Sequence, residues 1–236
     1  MGEFIAEKAS QLPKDGWVLV AHGDWLDGLQ DMNPYENGFY MPLTRKDLNV
    51  FRPVKAFLGH IHVPISREPV YYTGSPCGID ISETGLRRFL IFDTQTGRVD
   101  SRRVDSQLIY FDEALTILPL EDEAGYVRKK VIDIIRGWGI DPKDNSKIRL
   151  RFKANGFSAD REQLLHTLEE CFSGLTFYSG DGPDISAVSI SVDPDRDVLA
   201  EAVRQQIAAQ TWPTGQDEPT SDEILLAALE IIYGGK

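Results

Sequence analysis

The chain of 236 residues contains only two cysteines and four histidines. Cys77 and Cys171 are too few for a disulfide scaffold, which indicates a reducing compartment, and we expect the cytoplasm. No apolar run approaches the roughly 20 residues that a membrane helix needs. The N-terminal stretch "MGEFIAEKASQLPK" also lacks the basic-then-apolar pattern of a signal peptide. We therefore expect no membrane partner.

Positive charge is scarce as well, because 25 Lys and Arg stand against 37 Asp and Glu, leaving a net charge of −12. This balance argues against a simple electrostatic nucleic-acid binder. The acidity is uneven: residues 1–105 carry 12 basic and 14 acidic side chains, a net −2, whereas residues 106–236 carry 13 and 23, a net −10. We infer two domains, 1–105 and 106–236, with different surfaces and different roles.

Hydrophobic patterning predicts strands and helices in both parts. In residues 1–105, "GWVLVAHG", "VKAFLGHIH" and "PVYYTGSPCG" are typical of buried strands, a long polar loop follows the first, and "RRFLIFDTQTGRVDSRRV" predicts a hairpin. In residues 106–236, helices are predicted in "EDEAGYVRKKVIDIIRGWG", "SADREQLLHTLEECF", "DRDVLAEAVRQQIAAQ" and "TSDEILLAALEIIYGG", with strands at "KIRLRF" and "AVSISV". The expected fold class is α/β or α+β, with a small α+β domain at residues 106–236.

Three of the four histidines fall at the ends of predicted strands, where α/β proteins place their sites. His22 ends "WVLVAH", and His60 and His62 follow Gly59 in "FLGHIHVP". In an extended segment, residues two apart point to the same side, with Cα atoms about 6–7 Å apart. That spacing suits two metal ions, which lie about 3.5–4 Å apart in two-metal sites. Taken alone, the pair is equally compatible with two surface or capping histidines.

Other polar residues have a structural interpretation beside the functional one. His166 lies on a predicted helix, on or near its apolar face, and we interpret it as structural. "GSPCG" offers Ser75 or Cys77 as a nucleophile, but the G-x-S-x-G spacing is absent and a tight turn is favoured. Arg87 and Arg88 follow "ETG" and would bind phosphate as substrate-binding residues, or serve as solvated strand-edge charges. Both readings of the arginines stay open.

Three aromatic side chains in the long polar loop have two interpretations. They would stack on nucleic-acid bases or, in the favoured interpretation, pack beneath the loop. These residues are Tyr35, Phe39 and Tyr40.

"VLVAHG", "FLGHIHVP" and "VYYTGSPCGIDISETGLRRFLIFDTQTGRV" together resemble the second half of a calcineurin-like metallophosphoesterase. Within that superfamily they are most similar to the SbcD group of DNA-repair nucleases, in which a strand ending in His, a G-H-x-H loop, a Y-x-G-S-P strand, an acidic E-x-G and a closing hairpin follow one another. The resemblance covers residues 16 to about 105 and implies the second half of the family's β-sandwich layer. Residues 106–236 take the place of its α+β capping domain.

The resemblance implies two divalent metal ions, usually manganese, with ligands from D-x-H, G-D-x-x-D, G-N-H-[DE], a lone His and G-H-x-H. Only the last two blocks are present. Carried across, His22 and His60 would bind one metal and His62 the other, and no catalytic acid is assigned. "GDWLDG" fits G-D-x-x-D by letters, but we interpret Asp24 and Asp27 as loop residues beside the site.

We therefore expect the chain to begin after the third block and to be catalytically poor by itself. Three neutral imidazoles do not offset two dications, and hard Mn²⁺ prefers carboxylate oxygen, so weak binding of one softer ion such as Zn²⁺ is expected. By resemblance, the complete enzyme would hydrolyse DNA phosphodiesters in double-strand-break repair. Its partners would be DNA, an SbcC-like ATPase and the N-terminal half of the phosphoesterase domain.

Two alternatives remain. One is a calcineurin-like phosphoesterase that acts on small phosphoesters, which the acidity of residues 106–236 favours, since DNA contacts ordinarily need clustered Lys and Arg. The other is a non-catalytic module that retains this part of the fold for protein contacts.

Overall fold

The computed structural model describes residues 1–26, 38–191, 193–212 and 218–234. The fold is mixed α/β, as expected, with several sheets and six α-helices in the described ranges. The chain divides into two compact units, Met1–Gln107 and Leu108–Lys236, and this division falls beside the boundary expected from the charge distribution. Among the described helices, none combines the length and apolar character needed to cross a membrane.

The first unit is built on a four-stranded sheet. Its elements, in chain order, are α1 (Gly2–Lys8), a 3₁₀ turn (Ala9–Gln11), β1 (Val18–His22), α2 (Arg45–Phe51), β2 (Lys55–Gly59), β3 (Ile65–Arg67) and β4 (Val70–Tyr72). The strand order is β1-β2-β4-β3, in which β1 and β4 run parallel to β2, and β3 runs antiparallel to β4. The predicted hairpin is present as β5 (Arg88–Phe92) and β6 (Val99–Arg103).

Among the described residues, one apolar cluster lies at the centre of the first unit. Alternate residues of β2 and β4 face it, since side chains along a strand alternate between its two faces. The cluster consists of Ile5, Trp25, Leu43, Ala56, Leu58, Val70 and Tyr72. Helix α2 joins this core with its start fixed by a capping box, in which the Asp47 amide donates to the Thr44 hydroxyl oxygen and the Thr44 amide donates to the Asp47 carboxylate.

Strand β1 differs from its prediction in one respect. It forms where expected, but it lies at the edge of the sheet and Val20 is 78% exposed. The apolar run predicted a buried strand because periodicity cannot tell an edge strand of a parallel sheet from a central one. The strand's place in the sheet depends on pairing partners, which its own residues do not specify.

The second unit is a parallel sheet with helical crossovers. Its elements are β7 (Ile109–Ile117), α3 (Glu123–Gly137), a 3₁₀ turn (Pro142–Lys147), β8 (Ile148–Ser158), α4 (Arg161–Cys171), β9 (Thr176–Phe177), β10 (Asp184–Ile190), α5 (Pro194–Ala209) and α6 (Ser221–Gly234). The order is β10-β8-β7, with β9 also paired to β8, and every pairing is parallel. All four predicted helices and both predicted strands are confirmed; β7 and β9 were not predicted.

The core of the second unit is centred on β8. Leu150, Phe152 and Ala154 point to one face and are at most 1% exposed, and Val127 and Val131 of α3 are fully buried. Aspartates cap the first turns of three helices: Asp122 in α3, Asp160 in α4 and Asp193 in α5. A capping box starts α6, with mutual hydrogen bonds between Thr220 and Glu223.

Candidate functional site

The carboxyl ends of β1 and β2 bring the first two candidate histidines together. The parallel register places His22 directly opposite Gly59, and the Gly23 amide donates to the Gly59 carbonyl at 3.3 Å. A Cβ at Gly59 would lie 2.7 Å from Nδ1 of His22. Glycine is therefore what allows the His22 ring to lie across the end of β2, next to His60.

His60 turns back toward β1 instead of continuing the strand. Strand β2 ends at Gly59, and His60 has φ = +96°, a conformation that non-glycine residues rarely adopt. Its ring centroid lies 5.3 Å from that of His22, at an angle of 72°. Nε2 of His60 is 3.6 Å from Oδ1 of Asp24, and both side chains are at most 10% exposed. A buried histidine, a buried carboxylate and a second imidazole therefore meet at one sheet edge.

Tyr40 covers this cluster. Its ring stacks on His60 with centroids 5.2 Å apart and meets the His22 ring edge-on at 5.8 Å. Its amide donates to Oδ2 of Asp24 at 2.6 Å, which leaves Oδ1 directed toward His60. The sequence suggested base stacking or packing for Tyr40, and the structure shows packing against the two histidines; no local pattern pointed to them.

Tyr72 supports the cluster from the core. Its hydroxyl is buried and donates to the Gly23 carbonyl at 2.8 Å, and burial raises the pKa of Tyr72 well above its usual value. The Leu43 amide donates to the Asp24 carbonyl at 2.7 Å. These bonds fix the backbone that carries Asp24, so its carboxylate is held by the fold.

His62 does not lie beside His60 in the expected manner. The prediction assumed an extended segment through both residues, which is wrong because the strand has already ended and the positive φ of His60 changes the direction of the chain. Nδ1 of His62 instead contacts Oε1 of Glu83, and about half of the His62 side chain is exposed. The His60 ring faces Asp24, and the His62 ring faces Glu83.

Glu83 is the residue that sequence reasoning passed over. Its Oε2 accepts hydrogen bonds from the Ser75 hydroxyl at 2.9 Å and the Ile79 amide at 3.1 Å, while Oε1 contacts His62. Burial by itself raises the pKa of Glu83, but the hydrogen bonds from His62, Ile79 and Ser75 outweigh it and the net pKa is lowered. The only sequence signal was the glutamate of the "ETG" stretch, to which no role was given.

The two candidate substrate-binding arginines contact the Glu83 carboxylate or main-chain carbonyls near His62. Arg87 is 6% exposed; Nη1 donates to the His62 carbonyl at 3.2 Å and Nη2 lies 3.7 Å from Oε2 of Glu83. Burial lowers the pKa of Arg87, and Glu83 opposes that effect. Arg88 is partly exposed and donates to the Pro64 carbonyl at 3.3 Å. Phosphate binding by either arginine stays a prediction.

The distance between the His60 and Asp24 donor atoms can be compared with the spacing of ligands around a metal ion. Two ligand atoms about 2.1 Å from a tetrahedral ion lie about 3.4 Å apart, and Nε2 of His60 and Oδ1 of Asp24 are 3.6 Å apart. This pair fits one edge of a coordination shell. Within residues 1–26 and the other described ranges, no three or more His, Cys, Asp or Glu side chains are placed to hold a metal together. The residues therefore fit half of a site for one ion.

The remaining candidates divide into three groups. Asp27 and Tyr35 lie outside the described residues. Ser75 is occupied by its hydrogen bond to Glu83, and Cys77 is an exposed free thiol. His166 is on α4, but the prediction of an apolar face is wrong: its side chain is 71% exposed and Nε2 lies 3.2 Å from Oε1 of Glu170 one helical turn away.

No protein-family model and no curated protein matches this chain.

Proposed function

We propose that this chain is part of a metal-dependent phosphodiesterase of the calcineurin-like type, similar to the SbcD nucleases. The observation that carries the proposal is the meeting of His22, His60 and Asp24 at the carboxyl ends of two parallel strands. Ligand sites in α/β sheets lie at such strand ends. An imidazole and a carboxylate oxygen are also a donor set that divalent ions accept.

In this proposal His60 and Asp24 hold one ion and His22 lies beside it, so Asp24, which the sequence placed only beside the site, takes the place of His22 as the second ligand. A bound divalent ion would act as a Lewis acid toward a phosphoryl oxygen and lower the pKa of a water molecule. Tyr40 shields the pair from solvent by stacking on His60, and its amide keeps Oδ1 of Asp24 available. Burial of His60 and Asp24 strengthens their attraction for a cation, because fewer water molecules compete with it.

The further parts of the proposal come from the resemblance. The remaining ligands for two Mn²⁺ ions would be supplied by a separate segment that corresponds to the N-terminal half of the phosphoesterase domain. The complete enzyme would act on DNA in the cytoplasm with an SbcC-like ATPase. The second unit would be the cap that positions the DNA end.

A phosphoesterase for small phosphoesters is the second candidate, and one observation favours it. Residues 106–236 carry a net charge of −10. A DNA-binding cap gains affinity from each phosphate that Lys or Arg neutralises, and this unit has few basic groups to spare. A small phosphoester would not require a basic surface on this unit.

Metal titration of the purified chain tests the first step. We expect one Zn²⁺ or Co²⁺ to bind weakly by isothermal titration calorimetry, and His60→Ala and Asp24→Asn each to weaken binding at least tenfold. His166→Ala is the matched control, since that histidine is exposed on α4 beside a carboxylate, and it should leave the affinity unchanged. Equal binding by wild type and His60→Ala would refute the proposed half-site.

Substrate choice is tested after reconstitution with the polypeptide encoded directly upstream, if it contains D-x-H, G-D-x-x-D and G-N-H-[DE]. With Mn²⁺ we expect degradation of linear duplex DNA and of bis(p-nitrophenyl) phosphate. Hydrolysis of the small diester alone would favour the second candidate. Cleavage of DNA by the isolated chain at the reconstituted rate would contradict the half-site argument.

A further inference from the structure

The strongest unassigned arrangement in the first unit is the contact between His62 and Glu83. Nδ1 of the ring faces Oε1 of the carboxylate, and the ring is 53% exposed whereas Glu83 is 10% exposed. The buried partner is thus the carboxylate, and the exposed partner is the imidazole. This is the arrangement in which a fixed group orients a ring that is presented to solvent.

The chemistry of the contact selects one tautomer. An ionised carboxylate only accepts hydrogen bonds, so the nitrogen that faces it must carry the proton. A neutral imidazole carries one proton, and the other nitrogen then has the lone pair. We propose that Glu83 is a positioning residue that holds neutral His62 as the Nδ1–H tautomer, leaving the lone pair of Nε2 for a metal ion or a transferred proton.

The orientation of Glu83 is fixed by groups on its other oxygen. The Ile79 amide and the Ser75 hydroxyl both donate to Oε2, and Nη2 of Arg87 lies 3.7 Å from the same atom. Arg87 also donates to the main-chain carbonyl of His62 at 3.2 Å. Glu83 thus constrains the ring of His62 while Arg87 constrains its backbone, and the buried charge of Arg87 has a structural use.

The second unit contains a histidine for comparison, His166, in which the other ring nitrogen faces the carboxylate. His166 is also exposed and also meets a glutamate, but there Nε2 lies 3.2 Å from Oε1 of Glu170. The same rule predicts the Nε2–H tautomer for His166. One protein should therefore show two exposed neutral histidines with their ring protons on different nitrogens.

The tautomer stands on geometry, whereas its use by the enzyme rests on the proposed function. A metal ion binds the unprotonated nitrogen, and a ligating histidine ordinarily donates its other N–H to a carboxylate or carbonyl. In this structure the available nitrogen of His62 is Nε2. If no phosphodiesterase activity is found, the assigned tautomer of His62 is unaffected. If His62 has the other tautomer, the proposed phosphodiesterase function is likewise not excluded.

Nuclear magnetic resonance of the metal-free chain tests the inference directly. Histidine labelled with ¹⁵N, observed in long-range ¹H–¹⁵N correlation spectra at a pH where the rings are neutral, distinguishes the two tautomers by which nitrogen is protonated. We expect Nδ1–H for His62 and Nε2–H for His166, with resonances assigned from single histidine substitutions. Nε2–H for His62 in the wild-type chain would overturn the inference, and this measurement requires no variant of Glu83.

Glu83→Gln gives a sharper result. The Ile79 amide requires the carbonyl oxygen at the Oε2 position, which places the side-chain NH₂ against Nδ1 of His62. That NH₂ donates, so His62 must accept at Nδ1 and carry its proton on Nε2, and the tautomer inverts. Ser75→Ala keeps the carboxylate and should leave Nδ1–H, and Glu170→Gln should not affect His62. An unchanged His62 tautomer in Glu83→Gln would contradict the assignment.

Discussion

The two units of the chain bury different kinds of side chain. Of the described hydrophobic residues that are buried, eight belong to the first unit and twenty to the second. The first unit also buries the charged side chains of Asp24, Lys55 and Arg87, whereas the buried polar residues of the second unit are uncharged Ser and Thr. Desolvating a charge costs free energy unless partners offset it.

We interpret this difference as a division of roles, in which the first unit would carry the proposed site and the second would contribute most of the stability. Buried ionisable groups often mark functional sites. In the first unit Asp24 faces His60 and Arg87 donates to the His62 carbonyl, whereas Lys55 pairs with Glu68 at the start of β2. The second unit instead has a long central strand covered by helices, and its charged groups are mostly exposed. We therefore expect core substitutions to reduce stability chiefly in the second unit, and site substitutions to reduce ligand binding chiefly in the first.

The largest difference should appear when one phenylalanine is truncated in each unit. Phe152 is 1% exposed in β8, with its ring 4.7 Å from that of Phe172, and Phe152→Ala should lower the free energy of unfolding by about 3–5 kcal/mol. Phe89→Ala in the hairpin, where Phe89 is 44% exposed, should cost less than about 1 kcal/mol. Urea unfolding, with hydrogen exchange of β7 and β8 to locate the loss, measures both. Similar costs at both positions would mean that Phe89 is packed as tightly as Phe152, against the difference in their burial.

Two strand glycines provide the next comparison. A Cβ at Gly156 in β8 would lie 2.5 Å from the carbonyl oxygen of Ile117, at φ = +101°, so Gly156→Ala should cost about 2–4 kcal/mol. A Cβ at Gly59 would meet only the side chain of His22, which can rotate away, and Gly59→Ala should cost less than about 1 kcal/mol.

Metal affinity should be affected more by Gly59→Ala than by Gly156→Ala, the opposite of their order in stability. Gly59→Ala moves the His22 ring from its place beside His60, so it should weaken Zn²⁺ binding, whereas Gly156→Ala should leave the affinity of the folded chain unchanged. Calorimetric titration of both variants, at a temperature where each is folded, checks this. Unchanged binding by Gly59→Ala would remove His22 from the proposed site.

Local signals in the sequence were sufficient for most elements but not for the site. Helix α6, the β5–β6 hairpin and strand β8 each depend on patterns among residues within a few positions of one another, and each was predicted. Strand β7 was not, because Asp112 and Glu113 interrupt its apolar pattern. Glu113 is accommodated in this strand by a hydrogen bond from Nε1 of Trp138 at 2.7 Å, and Trp138 lies 25 residues away in the sequence.

The histidine geometry depends on contacts that a sequence pattern does not contain. His22 and His60 were correctly placed at neighbouring strand ends, because parallel strands align their carboxyl ends. The orientation of the His62 ring depends on a positive φ at His60 and on Glu83, which lies 21 residues beyond His62 in the sequence. Neither the backbone conformation nor the long-range partner has a local signature.

The smallest predicted effects come from one ion pair in each unit. In the first, Lys55 is 11% exposed and pairs with Glu68, which is 71% exposed, so Glu68→Gln should cost about 1 kcal/mol because an ammonium covered by protein loses a carboxylate that solvent partly screens. In the second, Arg151 and Asp112 face one another across β7 and β8 at 52% and 37% exposure, and Asp112→Asn should cost about 0.2–1 kcal/mol.

The dependence of the stability loss on ionic strength distinguishes the two ion pairs more clearly than the size of that loss does. Exposed charges are screened at high ionic strength, with a Debye length of about 3 Å at 1 M, and desolvated charges are screened much less. The cost of Asp112→Asn should therefore nearly vanish in 1 M NaCl, whereas a larger fraction of the cost of Glu68→Gln should remain, because the Lys55 ammonium is covered by protein. Urea unfolding of both variants at low and high salt measures the difference. Equal salt sensitivity would show that the Lys55 ammonium is not shielded from solvent in the first unit.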